Sequence, residues 1–138
     1  MAVPSAVIAE ALDKVSGIEG KTTIDATNAF GGRNEAFESQ AHEIKSIIGG
    51  PTAKSFNINF ASLYGRLGEA RARPSNLWCG DEDAREIVEQ LNRDAGYDPV
   101  HAGPLENAAA QERVLDLIFA IGEDMGPYFY RFAPVDQL

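Results

Sequence analysis

The sequence predicts an α/β fold with a largely parallel sheet and a long C-terminal helix. Helical and strand-like apolar patterns alternate along almost the whole chain, the grammar of strands joined by crossover helices. Strand-like runs also stop abruptly in polar or glycine-rich loops, as in IDATNAFGGRN at 24–34. Residues 105–125 then form one unbroken helical stretch with apolar residues on two faces: Leu115, Ile118 and Phe119 on one, Val114, Leu117 and Ile121 on the other.

The elements follow in order. Val7, Ile8, Ala11, Leu12 and Val15 recur at helical spacing, and Gly17 stops that helix. Lys21 to Ala26 reads as a strand. Phe37, Ala41, Ile44 and Ile48 make a second helical stripe, closed by Gly49-Gly50-Pro51. Thr52 to Phe56 is a short strand, and Phe60, Leu63, Tyr64 and Leu67 suit a short helix. Asn76 to Cys79 is a third strand. Ala84, Ile87, Val88, Leu91 and Ala95 give the clearest amphipathic helix, and Tyr97 to Ala102 is the fourth strand.

At 138 residues the chain suits one domain, able to bury roughly two-thirds of its unfolded surface. Its formal charge of −9 comes without a basic cluster, which disfavours nucleic acid and anionic membrane as partners. Cys79 is the single cysteine, so no intrachain disulfide or thiolate cage forms, and a lone Cys in NLWCG suits a small buried hydrophobe. The start MAVPSAVIAEAL lacks a basic segment, and no apolar run is long enough for a bilayer; the expected location is cytoplasmic.

Four polar constellations stand at strand ends. Asp81, Glu82 and Asp83 in CGDEDA suit a helix start, where carboxylates satisfy free N–H groups. In AGPLENA, Gly103 makes a turn and Pro104 suits a first helical position; Glu106 and Asn107 either cap or face a ligand. Asn59 suits an N-cap, whereas Asn57 either orients a ligand or braces a loop. Gly31-Gly32 is separated from the next helix by Arg33, Asn34 and Glu35, so it reads as a surface turn and not a phosphate cradle. The polar groups facing a ligand there are Thr27 and Asn28. The sequence contains no GxGxxG, P-loop, HExxH or GxSxG motif, and neither His42 nor His101 has partners at catalytic spacing.

Taken in order, AVP, IDATN, KSFN, CGDEDA and GYDPVHAGPLENA resemble the NADP-dependent oxidoreductases that use a deazaflavin coenzyme, a family of NADPH:deazaflavin reductases and related dinucleotide-binding proteins. The resemblance runs from Ala2 to about Phe132. It implies that the chain is the second half of a Rossmann-type fold, a single truncated domain over 1–138, with sheet and crossover helices to about residue 103 and a C-terminal helix and tail from 104. The family's GxGxxG lies in an initial βαβ unit of about 60 to 70 residues, for which this sequence has no counterpart.

The resemblance further implies which residues border the cofactors. Val3 and Pro4 match the loop along the dinucleotide, and Thr27 and Asn28 the strand end beside the nicotinamide. Phe56 and Asn57 match the pocket floor; Gly103, Pro104, Leu105, Glu106 and Asn107 match the start of the last helix. Ser5, Ala29, Ser55 and Ile58 depart from the family's usual aromatic, proline, alanine and threonine. NADP is the implied cofactor, with weak binding expected here, and a deazaflavin or flavin-like molecule is the implied hydride acceptor. No residue is assigned a catalytic or metal-binding role, since direct hydride transfer needs proximity and water exclusion more than an acid–base pair. The alternatives are a non-catalytic truncated paralogue and a self-associating structural module without cofactor. A bare strand edge at 22–26 and an uncovered apolar side of Val7, Ile8, Leu12 and Val15 are expected, and with them a homodimer.

Overall fold

Four strands lie side by side in the order in which they occur in the chain: β1 (Thr23–Asp25), β2 (Thr52–Ser55), β3 (Ser75–Gly80) and β4 (Asp98–His101). This is the arrangement in a computed structural model that describes residues 1–137. β1 pairs with β2 and β3 with β4 in parallel, whereas β2 and β3 are antiparallel, with Ala53 opposite Gly80 and Ser55 opposite Trp78. The sheet is thus mostly parallel, with one reversal. The reversal follows from the connection. The 3₁₀ segment Ala61–Glu69 contains Gly65 and Gly68 and buries only Leu63, so it lies at the surface and does not cover a sheet face as a crossover helix would. The chain returns to the edge it left, and β3 begins where β2 ends.

Helices cover both faces. On one, α2 (Gln40–Ile48), α4 (Ala108–Met125) and the 3₁₀ turn that precedes α4 pack Ala41, Ala108 and Leu105 around the buried Cys79. On the other, α3 (Arg85–Asp94) and the turn before it set Val88 and Ala84 on Ala53 and Trp78. Ser39 caps α2 by accepting from the His42 N–H, and Gly49, at φ 74°, ends it in the left-handed conformation that glycine tolerates. The predicted stripe of α3 is only half correct. Ile87 and Leu91 are exposed, because the helix turns Val88 and Asn92 inward.

Asn92 belongs to a buried amide cluster. Its Nδ2 donates to Ser55 Oγ (3.3 Å) and Val88 O (2.7 Å), and its Oδ1 accepts from Asn76 Nδ2. Asn59 Nδ2 donates to Asn76 Oδ1 at 2.7 Å, so Asn59 is a strand brace and not the helix cap the sequence suggested. Asp81 is similarly reassigned. Its carboxylate takes Lys45 Nζ and the Thr52 N–H, and makes no side-chain cap bond to the turn that follows.

Two further expectations change. α1 (Ile8–Asp13) lays Ile8 and Leu12 against Ile44 and Ile48, so this apolar side is covered and only Val7 and Val15 remain exposed. The β1 edge is partly paired as well: the Met1 amino group donates to Ile24 O (2.7 Å) and the Ala26 N–H to Met1 O (2.9 Å). Burial pushes the Cys79 thiol up to about 12, so it stays protonated and inert, as its sequence setting suggested.

Candidate functional site

The carboxyl ends of β1 and β2 open on a cleft of about 290 Å³. Its polar edge is Asn28, Asn57 and Asn59, and its walls include Phe30, Phe56, Phe60, Tyr64 and Phe119. Phe60 is the hub of the aromatic wall, with ring centroids 6.1 Å from Phe119 and 5.4 Å from Tyr128. Below Asn57, Ile58, Leu115 and Ile118 close the floor as one buried cluster.

The two asparagines hold each other. Asn28 Nδ2 donates to Asn57 O (2.7 Å), and Asn57 Nδ2 donates to Asn28 Oδ1 (3.2 Å). Asn57 Oδ1 also accepts from Gln111 Nε2 on α4 at 2.9 Å. Asn57 is buried, so it braces the loop, while the half-buried Asn28 borders the cleft more openly. Phe56 carries the turn that makes this possible. Its φ of 62° is the one left-handed value outside glycine among the described residues. For a bulky side chain that conformation is strained, and such strain collects at ligand clamps.

Beneath the cleft lies a charge cluster that the sequence analysis missed. Lys54 is wholly buried, and its Nζ donates to Asp25 Oδ2 (2.7 Å), Thr27 O (2.7 Å) and Glu112 Oε1 (2.9 Å). Three donors meet three acceptors, so the ammonium is satisfied. Gln40 completes the cluster in the amide orientation that satisfies both of its ends, donating to Glu112 and accepting from the Ala29 N–H at 3.1 Å. Burial raises the Glu112 pKa more than Lys54 lowers it. Asp25 and Lys54 are cross-strand partners on adjacent parallel strands, and that pairing of opposite charges was the available clue.

Other predicted residues lie elsewhere. Thr27 is buried, its N–H on Asp25 Oδ1 (2.8 Å), and its Oγ1 has no partner among the described residues. Val3 packs against the α1–α2 cluster, and exposed Pro4 precedes the turn into α1. Gly103, Pro104, Leu105, Glu106 and Asn107 do follow a strand, but β4 runs opposite to β1, so they sit at the other end of the sheet. There Gly80 N donates to Gly103 O (3.1 Å), and Asn107 Nδ2 closes the turn on Ala102 O (2.7 Å). A Cβ at Gly103 would strike that Asn107 amide, and Leu105 is core. The structure therefore joins Asn28, Phe56 and Asn57 around one cleft and separates them from 103–107.

No protein-family profile matches the chain, and no curated protein does. Solved structures do. One, from Arthrobacter sp. FB24 and provisionally named an F420-dependent NADP-reductase, is 22% identical with a TM-score of 0.78, over 96% of this chain and 67% of that one. A hypothetical protein from Sinorhizobium meliloti is 24% identical with a TM-score of 0.64, over 79% of this chain and 57% of that one. The fold is shared. This chain thus has a Rossmann-like α/β architecture and spans about two-thirds or less of each neighbour's length.

The cleft has the lining of a ring site and not of a phosphate site. Aromatic walls and an amide edge suit a flat ring with carbonyl or amide substituents. A pyrophosphate would need free N–H groups at a helix start. Gly31 and Gly32 form a surface turn instead, held by Ser5 Oγ on Gly32 O, and α2 begins only at Gln40. Arg33 is already committed to Phe37 O, Glu38 O and Glu35.

Proposed function

We propose that this chain is the ring-binding part of an NADP-dependent oxidoreductase of the deazaflavin type. The observation that carries the reading is the Asn28–Asn57 pair at the edge of an aromatic cleft, at the carboxyl ends of two parallel strands. The ordered motifs support it, as does the shared fold with the Arthrobacter protein named as an F420-dependent NADP-reductase. When bound, NADP would supply or accept a hydride at its nicotinamide, with a deazaflavin or flavin-like ring as the other partner. Asn28 would orient a ring carbonyl or amide, Phe56 and Phe60 would exclude water, and the Lys54 cluster would hold the strand end that carries Asn28.

The chain is expected to bind NADP only at millimolar concentration, for want of a pyrophosphate site, and to bind 5-deazariboflavin more tightly. Asn28→Ala should weaken 5-deazariboflavin binding about tenfold, the scale of one well-placed hydrogen bond. Calorimetric titration beside a thermal melt checks both. Unchanged affinity in the alanine variant would remove the amide pair from recognition, and micromolar NADP binding would mean an unnoticed phosphate site.

A second reading, self-association, is favoured by α4. Leu117, Ile121 and Met125 recur every four residues on one exposed side, 62%, 39% and 63% accessible. We propose a homodimer that buries this stripe, with or without catalysis. Light scattering after size exclusion should give twice the chain mass at micromolar concentration, and Leu117→Glu should return the monomer. A parent protein that elutes as a monomer under those conditions ends this reading.

A further inference from the structure

Gln111 stands behind the cleft without lining it. Its side chain is buried on α4 and touches Asn57, the partner of Asn28. Its Nε2 donates to Lys54 O (3.4 Å), Leu77 O (3.2 Å) and Asn57 Oδ1 (2.9 Å). Two of these acceptors are backbone carbonyls, which cannot donate, so the amide must turn its nitrogen toward them. That choice passes outward. Asn57 offers Oδ1 to the shared Nε2, which leaves its Nδ2 for Asn28 Oδ1. Asn28 in turn directs Nδ2 at Asn57 O, again a group that only accepts. Each amide therefore has one orientation, and the order is set from the buried end. Gln111 Oε1 has no partner among the described residues, a local cost of the kind that collects at functional sites.

We propose that Gln111 is a positioning residue for the cleft: through Asn57 it holds the Asn28 amide in one orientation, so that a fixed N–H of Asn28 is presented to a ligand carbonyl. Asn28 Nδ2 carries two hydrogens and spends one on Asn57 O, and the other is left for the cleft that Asn28 lines. Without the Gln111 donor, Asn57 Oδ1 is left buried and unpaired, and the Asn57 amide is free to rotate away from Asn28. The role rests on the ring-binding reading above and adds a residue that acts on the ligand only through Asn28.

A double-mutant cycle tests this, with 5-deazariboflavin as the probe and calorimetric titration beside thermal melts. Gln111→Met keeps a similar side-chain volume and removes the donor. It should weaken 5-deazariboflavin binding about fivefold, less than the loss expected for Asn28→Ala, and should weaken it no further when Asn28 is already alanine. An effect of the same size in both backgrounds would mean that Gln111 only supports the fold, and overturns the relay. Asn57→Asp breaks the chain one bond further out, since the carboxylate still accepts from Gln111 but cannot donate to Asn28. Binding as tight as the parent's in that variant overturns the relay as well. The Asn28 side-chain amide signals, compared by NMR without ligand in the parent and Gln111→Met, separate the two readings. They should shift and exchange with water faster in the variant. Unchanged signals overturn the relay whether or not the probe binds. Shifted signals in a chain that binds no 5-deazariboflavin remove the ring site and uphold the hold of Gln111 on Asn28.

Discussion

Lys54→Met should cost the fold about 3–5 kcal/mol, the scale for removing one partner of a buried ion pair. Methionine fills a similar volume, so the loss is electrostatic. Asp25 and Glu112 are left facing one another without a counter-charge, and Thr27 O loses its donor. Urea unfolding near neutral pH reads the effect directly, and the deficit should shrink in acid as the carboxyls take up protons. A loss below about 1 kcal/mol would mean that the cluster recruits another cation or water in place of the ammonium. Glu112→Gln is the informative companion, because the cluster holds two carboxylates and one ammonium. The folded protein raises the Glu112 pKa, so proton binding there stabilises the fold below the unfolded value, and that contribution fades as pH rises through the folded one. The glutamine variant lacks this dependence. Its stability relative to the parent should improve as pH climbs from about 4 to 7.

Gly80→Ala should destabilise by at least about 2 kcal/mol, as overpacking against rigid backbone does. A Cβ at Gly80 would lie 2.6 Å from both Ala53 Cα and Thr52 O, across the antiparallel β2–β3 pair. Neither atom can move without breaking the ladder that joins the two halves of the sheet. Gly65→Ala is the control, since nothing lies within 4 Å of a Cβ placed there. Thermal melts should separate the two variants clearly. A Gly80→Ala protein as stable as the parent would show that β2 and β3 can part at this point without loss.

The elements were legible because their signals are local. Alternation, glycine stops and apolar spacing place all four strands and four helices near their observed positions. Strand direction was not legible, because it depends on whether the 61–69 segment crosses the sheet, and apolar spacing does not tell the short 3₁₀ helix found there from a crossover α-helix. The single reversal also divides the strand ends between two sides of the sheet. Thr27, Asn28, Phe56 and Asn57 follow β1 and β2 to one end of the sheet, whereas 103–107 satisfy the same strand-end rule on a strand that runs the other way. Lys54 escaped notice because a charged residue in a short strand ordinarily suggests an exposed position. Its burial depends on Asp25 and Glu112, residues far away in sequence. Asn59 was misjudged for a related reason. It suits a helix cap by itself, and its bond to Asn76 makes it a strand brace instead.

The sequential strand order also bears on how the chain reaches this structure. Each strand pairs only with its predecessor and its successor, so every step of sheet growth closes one short loop over a single connecting segment. Such a sheet can be laid down from one end to the other without waiting for distant parts of the chain, which keeps the entropy cost of the folding barrier low. The exception is α4, whose Gln111 reaches back to Lys54, Asn57 and Leu77 and so bridges both sides of the β2–β3 reversal. The late-synthesised helix thus acts as the latch, and the cleft acquires its floor only when that latch has closed.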